Sequence, residues 1–318
     1  MLSILLVCWN QSAATRACLA RLCGAPPAAP HEIVVVDNGS ADDTAAMILR
    51  EFPTVRLVEA GANLGFAGGA NLAARHARGD TLLFLNNDTL PLDGAIDALL
   101  AFAEARPGAG LWGGRTVRED GRVNPTESLA APSFWGSVCV GLGLSGSFPR
   151  SRLLNPEGYG GWARDSVREV GALSGCFLMI RAPFFAALGG FDARYFLYGE
   201  DVDLNLRARA LGARPCFTPA ATIQHSGGAS SRPEDMMTYL LSAKVELVRR
   251  HLGPVRGRLA AQVYLFGAWL RAHAFAVLGR WHPRFADRRR TWQLVWRRRR
   301  HWRNGVISRP LAELLPHR

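Results

Sequence analysis

The sequence predicts an α/β fold in which a mostly parallel sheet is flanked by helices. Three observations carry that expectation. Near-continuous apolar runs such as "EIVVVDN" and "TLLFLNND" recur in the first half and read as strands buried on both faces. Segments with apolar residues at helical spacing alternate with them. Several runs end in polar side chains, and in such sheets ligands bind beyond the C-terminal strand ends.

Taken in order, "ILLVCW" is a first strand, followed by a helix with Thr15, Cys18, Leu19 and Leu22 on one face. "EIVVVDN" is the second strand. Ser40 with Asp43 three residues on has the spacing of a capping box for a helix carrying Met47 and Ile48. "VRLVEA" is a third strand, and "GANLGFAGGANLAARHARG" is a glycine-rich loop running into a helix. "TLLFLNND" is a fourth strand, after which Asp93 is expected to cap a helix with Ile96, Leu99, Leu100 and Ala103 inward. Beyond Pro107 the pattern changes. "RTVREDGRV" reads as a hairpin turning at Asp120–Gly121. Residues 124–166 show no periodicity, and a long irregular stretch in a compact domain is usually functional or mobile. Order returns with the strand "GALSGCFLMIR", the acid-led helix "YGEDVDLNLRARALG" and a last strand leaving at His225.

At 318 residues the chain can bury a substantial core. The net charge of +12 is uneven. From Arg249 onward seventeen arginines face only Asp287 and Glu313, so this stretch carries +15 and the preceding residues sum to −3. Six scattered cysteines without a CxxC pair read as reduced core thiols rather than disulfides or a zinc site. The N-terminal apolar run is too short for a signal peptide and lacks basic residues ahead of it, which favours a strand. No stretch has the uninterrupted apolar length of a membrane span; the nearest, Leu259 to Gly279, is broken by Gln262, Arg271 and His273.

Acids gather at element ends: Asp37, Asp88, and Glu200 with Asp201 and Asp203. Carboxylates around the rim of a parallel sheet suit a divalent metal and a nucleotide diphosphate, because hard cations take oxygen ligands and share them with phosphates. The ordered motifs "ILLVCWN", "IVVVDNGSADDT", "NLGFAGGAN", "LFLNNDT" and "GGFDARYFLYGEDVDLNLRARALG" resemble the inverting family 2 glycosyltransferases of the GT-A fold. Their bacterial rhamnosyltransferase-like subgroup is the nearest match. The resemblance spans roughly residues 3–230, and its specificity comes from five motifs agreeing in order.

The resemblance implies a role for each matching residue. Asp37 would bond the nucleotide base or ribose, and its alternative is a turn residue bonding its own backbone. Asn63, Gly65, Phe66 and Asn71, with Asn86 and Asn87, would line the nucleotide-sugar. Asp88 matches the last acid of the family's D-x-D metal motif, but Asn86 stands at the first position. Only one charged ligand remains in that loop, and His225 is the candidate that completes a Mg2+ or Mn2+ site. Asp201 matches the catalytic base, and Glu200 or Asp203 could instead do that work or hold Asp201 in place. Tyr198, Asp203 and Trp162 would meet the acceptor. For the acids at 200, 201 and 203 the bland alternative is that they complement the helix dipole.

The chain is expected to divide into a GT-A domain at residues 1–235 and a basic, aromatic-rich amphipathic region at 236–318. Arginines interleaved with tryptophans there suit an anionic membrane surface, which ranks above nucleic acid as a partner. The implied protein is a cytoplasmic enzyme, peripheral at the inner face of the cell membrane. It would move a sugar, rhamnose first, from a nucleoside diphosphate to a lipid-linked or cell-surface glycan. Two rivals stand beside this reading. A nucleotidyltransferase should carry a basic glycine-rich signature, which "CWNQSAATRACL" lacks. A non-catalytic membrane- or nucleic-acid-binding protein has no need of the acids at 37, 88 and 201.

Overall fold

A computed structural model describes residues 1–225 and 232–314. The chain divides into two compact units. The first comprises Met1–Leu129, Ala163–Ala193 and Glu200–Ala229, and the second Ala130–Trp162, Arg194–Gly199 and Ser230–Arg318.

The first unit opens with β1 (Leu2–Cys8), α1 (Ser12–Gly24), β2 (His31–Asp37), α2 (Thr44–Glu51), β3 (Arg56–Glu59), α3 (Gly65–His76) and β4 (Thr81–Asn86). It continues with β5 (Thr89–Pro91), α4 (Ala95–Ala105), β6 (Leu111–Val117) and the short β7 (Ser128–Leu129). Within the second unit's first segment lie α5 (Phe134–Gly141) and α6 (Leu144–Ser147). The first unit then resumes with β8 (Arg168–Glu169), β9 (Ala172–Leu173), β10 (Phe177–Arg181), α7 (Ala182–Ala187), α8 (Glu200–Ala210) and β11 (Cys216–His225).

The main sheet runs β3-β2-β1-β4-β10-β6-β11-β5, with β8 on β11. The β3-β2-β1-β4 half is wholly parallel, as its continuous apolar runs predict. Beyond it β10 enters antiparallel between β4 and β6, so the sheet is mixed. Strand alternation assigns the two faces. Leu2, Ile4, Leu6 and Cys8 join the buried faces of α1, α2 and α4 in one core. Val7 points the other way, where α3 packs so closely that a Cβ on Gly69 would lie 2.7 Å from Val7 Cγ1.

Three local expectations are refined. The Asp120–Gly121 hairpin forms, with Val117 bridging Val123. The capping box does not: α2 starts at Thr44, and the Ser40 hydroxyl and N–H both donate to Asp37 instead. Helix α4 is entered through Gly94 in the left-handed conformation, and Asp93 is ion-paired with Arg21. Of the six cysteines, five are buried and all are free thiols.

The second unit is helical. The irregular 124–166 region contributes α5 and α6 to it. The remainder is α9 (Pro233–His251), α10 (Pro254–Trp281), α11 (Ala286–Arg297), α12 (Arg299–Trp302) and α13 (Leu311–Leu314). Their core gathers Phe196, Tyr239, Val245, Tyr264, Val295 and Trp302. The tail's tryptophans therefore do not all face outward. Trp302 is fully buried and donates to the Val295 carbonyl at 2.9 Å, while Trp292 lies beneath the Arg271 guanidinium at 4.8 Å. Half-buried Lys244 pairs with Glu157 at 3.3 Å, and the carboxylate outweighs burial to favour the charged ammonium. Among the described residues no helix is long and apolar enough to cross a membrane.

Candidate active site

Strand β4 carries the chain to the rim of the sheet and stops where Asn86, Asn87 and Asp88 turn into β5. The turn is pinned from both sides. The Asn86 N–H donates to the Cys176 carbonyl at 3.1 Å, and the Asn87 amide donates to Thr15 Oγ1 at 2.9 Å. Thr89 Oγ1 donates to the Asn86 carbonyl at 2.7 Å. These bonds hold Asp88 at the strand end.

His225, the last residue of β11, comes to meet it. Strand β5 pairs antiparallel with β11, with Thr89 opposite His225, so the sheet itself sets the approach. His225 Nε2 lies 3.1 Å from Asp88 Oδ1. On its other side, Nδ1 is 3.7 Å from Glu127 Oε1 and has no hydrogen-bond partner although buried. Glu127, just ahead of β7, is tightly engaged. Its Oε1 accepts from Asn124 Nδ2 and its Oε2 from Cys176 Sγ, each at 2.7 Å.

The fourth member is Asp201 in the first turn of α8. Its Oδ2 accepts from the Gly175 N–H at 3.0 Å and its Oδ1 from the Val202 N–H at 2.7 Å. The β9–β10 turn, Ser174–Gly175–Cys176, thus reaches both groups: Gly175 holds Asp201, and Cys176 holds Glu127. A Cβ on Gly175 would sit 3.1 Å from the Phe66 ring and 3.7 Å from Asp201 Cβ, which explains a glycine at the contact.

Charge in the cluster follows from burial and neighbours. Burial opposes a charged His225, but Asp88, Cys176 and Glu127 outweigh it and push the imidazole up to about 12. Burial raises the Cys176 thiol to about 12, aided by Glu127, so Cys176 stays protonated and acts as a donor. Burial works against an ionised Glu127 too, yet His225 and the Cys176 hydrogen bond hold its carboxyl below the usual range. Asp201 is raised by burial, against the two backbone N–H groups that favour its charge. Glu200 is raised well above an ordinary carboxylate by burial and by Asp201 beside it. Both carboxyls are raised, Glu200 the more strongly.

The donor set suits a divalent cation. Two carboxylates and one imidazole converge, and the excess of acid already draws a proton onto His225. The 3.1 Å between Asp88 and His225 fits neighbouring ligands of one small ion whose bonds run about 2.1 Å. Glu127, Cys176 and His225 all present ligand atoms within 4.8 Å of one another. Asp88, Glu127 and His225 offer oxygen and nitrogen atoms, a set suited to Mg2+ or Mn2+.

The remaining expected residues divide by location. Asp37 is buried at the end of β2 and accepts from the Ser40 N–H at 3.1 Å, so it organises its own turn. Asn63 accepts from Asn38 Nδ2 at 3.1 Å and from the Gly65 N–H at 3.0 Å, shaping the entry to α3. Phe66, on the first turn of α3, packs edge-on against Phe191. Asn71 clamps the Phe191 backbone, its Nδ2 donating to the carbonyl at 2.8 Å and its Oδ1 accepting from the N–H at 2.9 Å. Asp203 is fully buried and ion-paired with Arg207 at 2.7 Å; that arginine in turn donates to the Gly190 carbonyl at 2.8 Å. This arrangement ties α8 to the loop after α7. Tyr198, with a positive φ of 67°, and Trp162, edge-on to Tyr159, belong to the second unit. Ser226, Gly227 and Gly228, which follow His225, lie outside the described residues.

Sequence reasoning missed Glu127, Cys176 and Gly175. Glu127 sits in the aperiodic stretch with no motif around it. The one available signal was the polar "SGC" preceding an apolar strand.

Residues 3–184 match the model of the family described as glycosyl transferase family 2. The chain belongs to that family. It is a glycosyltransferase, and a mixed sheet with flanking helices gives it the GT-A fold. Among its relatives is an N-acetylglucosaminyl-diphospho-decaprenol L-rhamnosyltransferase of Mycobacterium tuberculosis, 31% identical over 266 residues. The match covers 74% of this chain and 83% of that one. An O-antigen biosynthesis protein, RfbC of Myxococcus xanthus, is 32% identical over 64% of this chain and 16% of its own length. The mannosyltransferase PcManGT from Pyrobaculum calidifontis, solved with GDP-Man and Mn2+, superposes with a TM-score of 0.55. Its identity is 14%, covering 92% of this chain and 84% of that one. GalNAc-T7, solved with UDP, GalNAc and Mn2+, gives 0.57 at 15% identity, covering 98% of this chain and 56% of that one.

Proposed function

We propose that the protein is an inverting rhamnosyltransferase that moves rhamnose from a nucleoside diphosphate to a hydroxyl of a lipid-linked glycan. The observation that carries the reading is the convergence of Asp88, Glu127, His225 and Asp201 at one rim of the family 2 sheet. The rhamnosyltransferase relative, whose printed name gives a diphospho-decaprenol acceptor, supports the choice of sugar and acceptor class.

In this reading Asp88 and His225 hold Mg2+ or Mn2+, with Glu127 beside them. The ion would supply positive charge to the nucleoside-diphosphate leaving group. Asp37, Asn63, Gly65, Phe66, Asn71, Asn86 and Asn87 receive the nucleotide-sugar. Asp201 is the base. Its two backbone hydrogen bonds fix the carboxylate, and its raised pKa makes it a better proton acceptor once ionised. It takes the proton of the acceptor hydroxyl as that oxygen attacks the anomeric carbon. The C–O bond to the diphosphate breaks on the opposite face, so the product anomer is inverted. Glu200, adjacent, is raised by burial and by Asp201, so the charge of the pair is favoured on Asp201. Trp162 and Tyr198 are the acceptor contacts of this scheme, and Asp203 acts by holding α8. Residues 1–235 form the transferase domain, and 236–318 attach it to the inner face of an anionic membrane from the cytoplasm.

Donor screening tests the sugar assignment. A ligand that binds only the folded state raises apparent stability. A nucleoside-diphosphate rhamnose with Mn2+ should raise the melting temperature more than glucose, galactose or mannose donors do. Equal shifts for all donors, or a larger one for another sugar, would overturn rhamnose.

A further inference from the structure

Helix α10 is apolar on two sides. One side, with Ala260, Ala261, Tyr264, Ala268 and Ala272, is buried in the second unit's core. The other carries Val255, Leu259, Phe266, Leu270, Val277 and Trp281, each between 39% and 77% exposed. Their spacing alternates four and seven residues, repeating every eleven, close to three helical turns. At about 100° per residue the six fall within an arc of roughly 80°, a stripe about 39 Å long that His273 interrupts. Exposed apolar surface of this extent marks an interaction site.

We propose that this stripe is the face by which the protein lies on an anionic lipid bilayer, inserted parallel to the membrane plane. The inference rests on the membrane association of the proposed function and names its surface. The argument for lipid is charge. Arg256 and Arg258 flank the stripe at its start, Arg280 sits near its end, and Arg284 and Arg288 follow, all exposed. The chain from Arg249 carries +15. A second copy seated on the stripe would bring these arginines against their equivalents, whereas anionic headgroups complement them. Nucleic acid would satisfy the arginines and leave the stripe in water. The interruptions fit as well. Arg280 is long enough to reach the headgroups from an inserted face, and His273 turns its ring onto the Trp269 carbonyl at 2.7 Å. Phe266 stacks on Trp269 at 5.6 Å, giving an aromatic pair suited to the interface. The helix lies flat because, among the described residues, none is apolar enough to cross.

The test uses the full chain and vesicles of phosphatidylglycerol mixed with phosphatidylcholine, beside vesicles of phosphatidylcholine alone. Co-sedimentation should show binding to the anionic vesicles. The combined Phe266→Ser, Leu270→Ser, Trp281→Ser variant should weaken it on the order of a hundredfold. Arg256→Gln with Arg258→Gln should weaken binding about tenfold or more and reduce its salt dependence. Trp281 fluorescence, isolated by comparison with Trp281→Phe, should be quenched by brominated acyl chains. All three side chains are exposed, and an unchanged unfolding transition shows that the serine variant is folded. Binding unaffected by the serine variant overturns the proposal. So does a chain that ignores vesicles and instead self-associates through the same residues in sedimentation equilibrium. No readout depends on sugar transfer, so a failed rhamnosyl assay with intact vesicle binding would refute the proposed function and leave this surface standing.

Discussion

Replacing Glu127 by Gln tests the cluster at the residue that no motif announces. The carboxylate accepts from two buried donors, Asn124 Nδ2 and Cys176 Sγ, each at 2.7 Å, and faces His225 Nδ1 at 3.7 Å. An amide keeps one acceptor and turns a donor towards either Asn124 or Cys176, so one of those hydrogen bonds is lost. A buried donor without its partner costs about 1–3 kcal/mol. Removing one partner of a buried ion pair costs about 3–5 kcal/mol, but Asp88 still faces His225, so the lower part of the combined range applies. The expected loss is about 2 kcal/mol, read as a lower urea midpoint with unchanged slope. The pH dependence has a definite sign. Glu127 is held below the ordinary carboxylate range, so its contribution is present above that range and fades as pH falls through its folded pKa. The parent should therefore lose stability on acidification more steeply than the variant. Mn2+ affinity by calorimetry should fall about 10–100-fold, as for partners that orient a metal-binding histidine. A variant with the parent's midpoint, acid limb and Mn2+ affinity would refute the account of Glu127.

Further outcomes follow from the same geometry. Calorimetry in buffers of different ionisation enthalpy should show Mn2+ binding releasing a proton near neutral pH, because His225 is protonated beforehand; His225→Ala should bind at least about tenfold more weakly and release none. Glu200→Gln should stabilise the protein at neutral pH, measured by urea unfolding. Its raised pKa means stability falls as pH rises from the ordinary carboxylate range towards the folded value, and the amide removes that fall. Asp203→Ala should cost about 3–5 kcal/mol in the same assay by stranding Arg207 next to the Gly190 and Leu188 carbonyls. The pH profile of turnover should rise through a pKa above the usual aspartate range, the direction in which burial moves Asp201; a profile flat across that range would remove Asp201 as base.

The parallel half of the fold was legible because β1, β2 and β4 are buried on both faces and therefore read as unbroken apolar runs. The antiparallel entry of β10 was not, since "FLMIR" is equally apolar whichever way it runs. Register with β4 and β6 decides its direction. The capping box at Ser40 failed for a local reason: Asp37 accepts both Ser40 donors, and the helix starts later, at Thr44. The second unit's residues 130–162 lacked periodicity because their helices are short, and they pack with a segment a hundred residues on. In the site, Asp88 and His225 were visible as polar exits from apolar strands. Their pairing waited on β5, a three-residue strand that carries no pattern of its own. Glu127 was invisible because its function comes entirely from contacts, with Cys176 forty-nine residues away and His225 further still. Sequence pattern alone does not distinguish the tryptophans of the tail. The fold separates them, sending Trp302 inward and leaving Trp281 at the surface.

The central claim is that Asp201 removes the acceptor proton in an inverting transfer. It is tested most directly by assaying Asp201→Asn and the parent with labelled nucleoside-diphosphate rhamnose and a polyprenyl-diphosphate N-acetylglucosamine acceptor. The product anomer is read by NMR and donor affinity by calorimetry. The account predicts an inverted product from the parent, and turnover lowered on the order of 10²–10⁴-fold in the variant with donor affinity little changed. Full turnover by Asp201→Asn, or a product that keeps the donor's anomeric configuration, would contradict it.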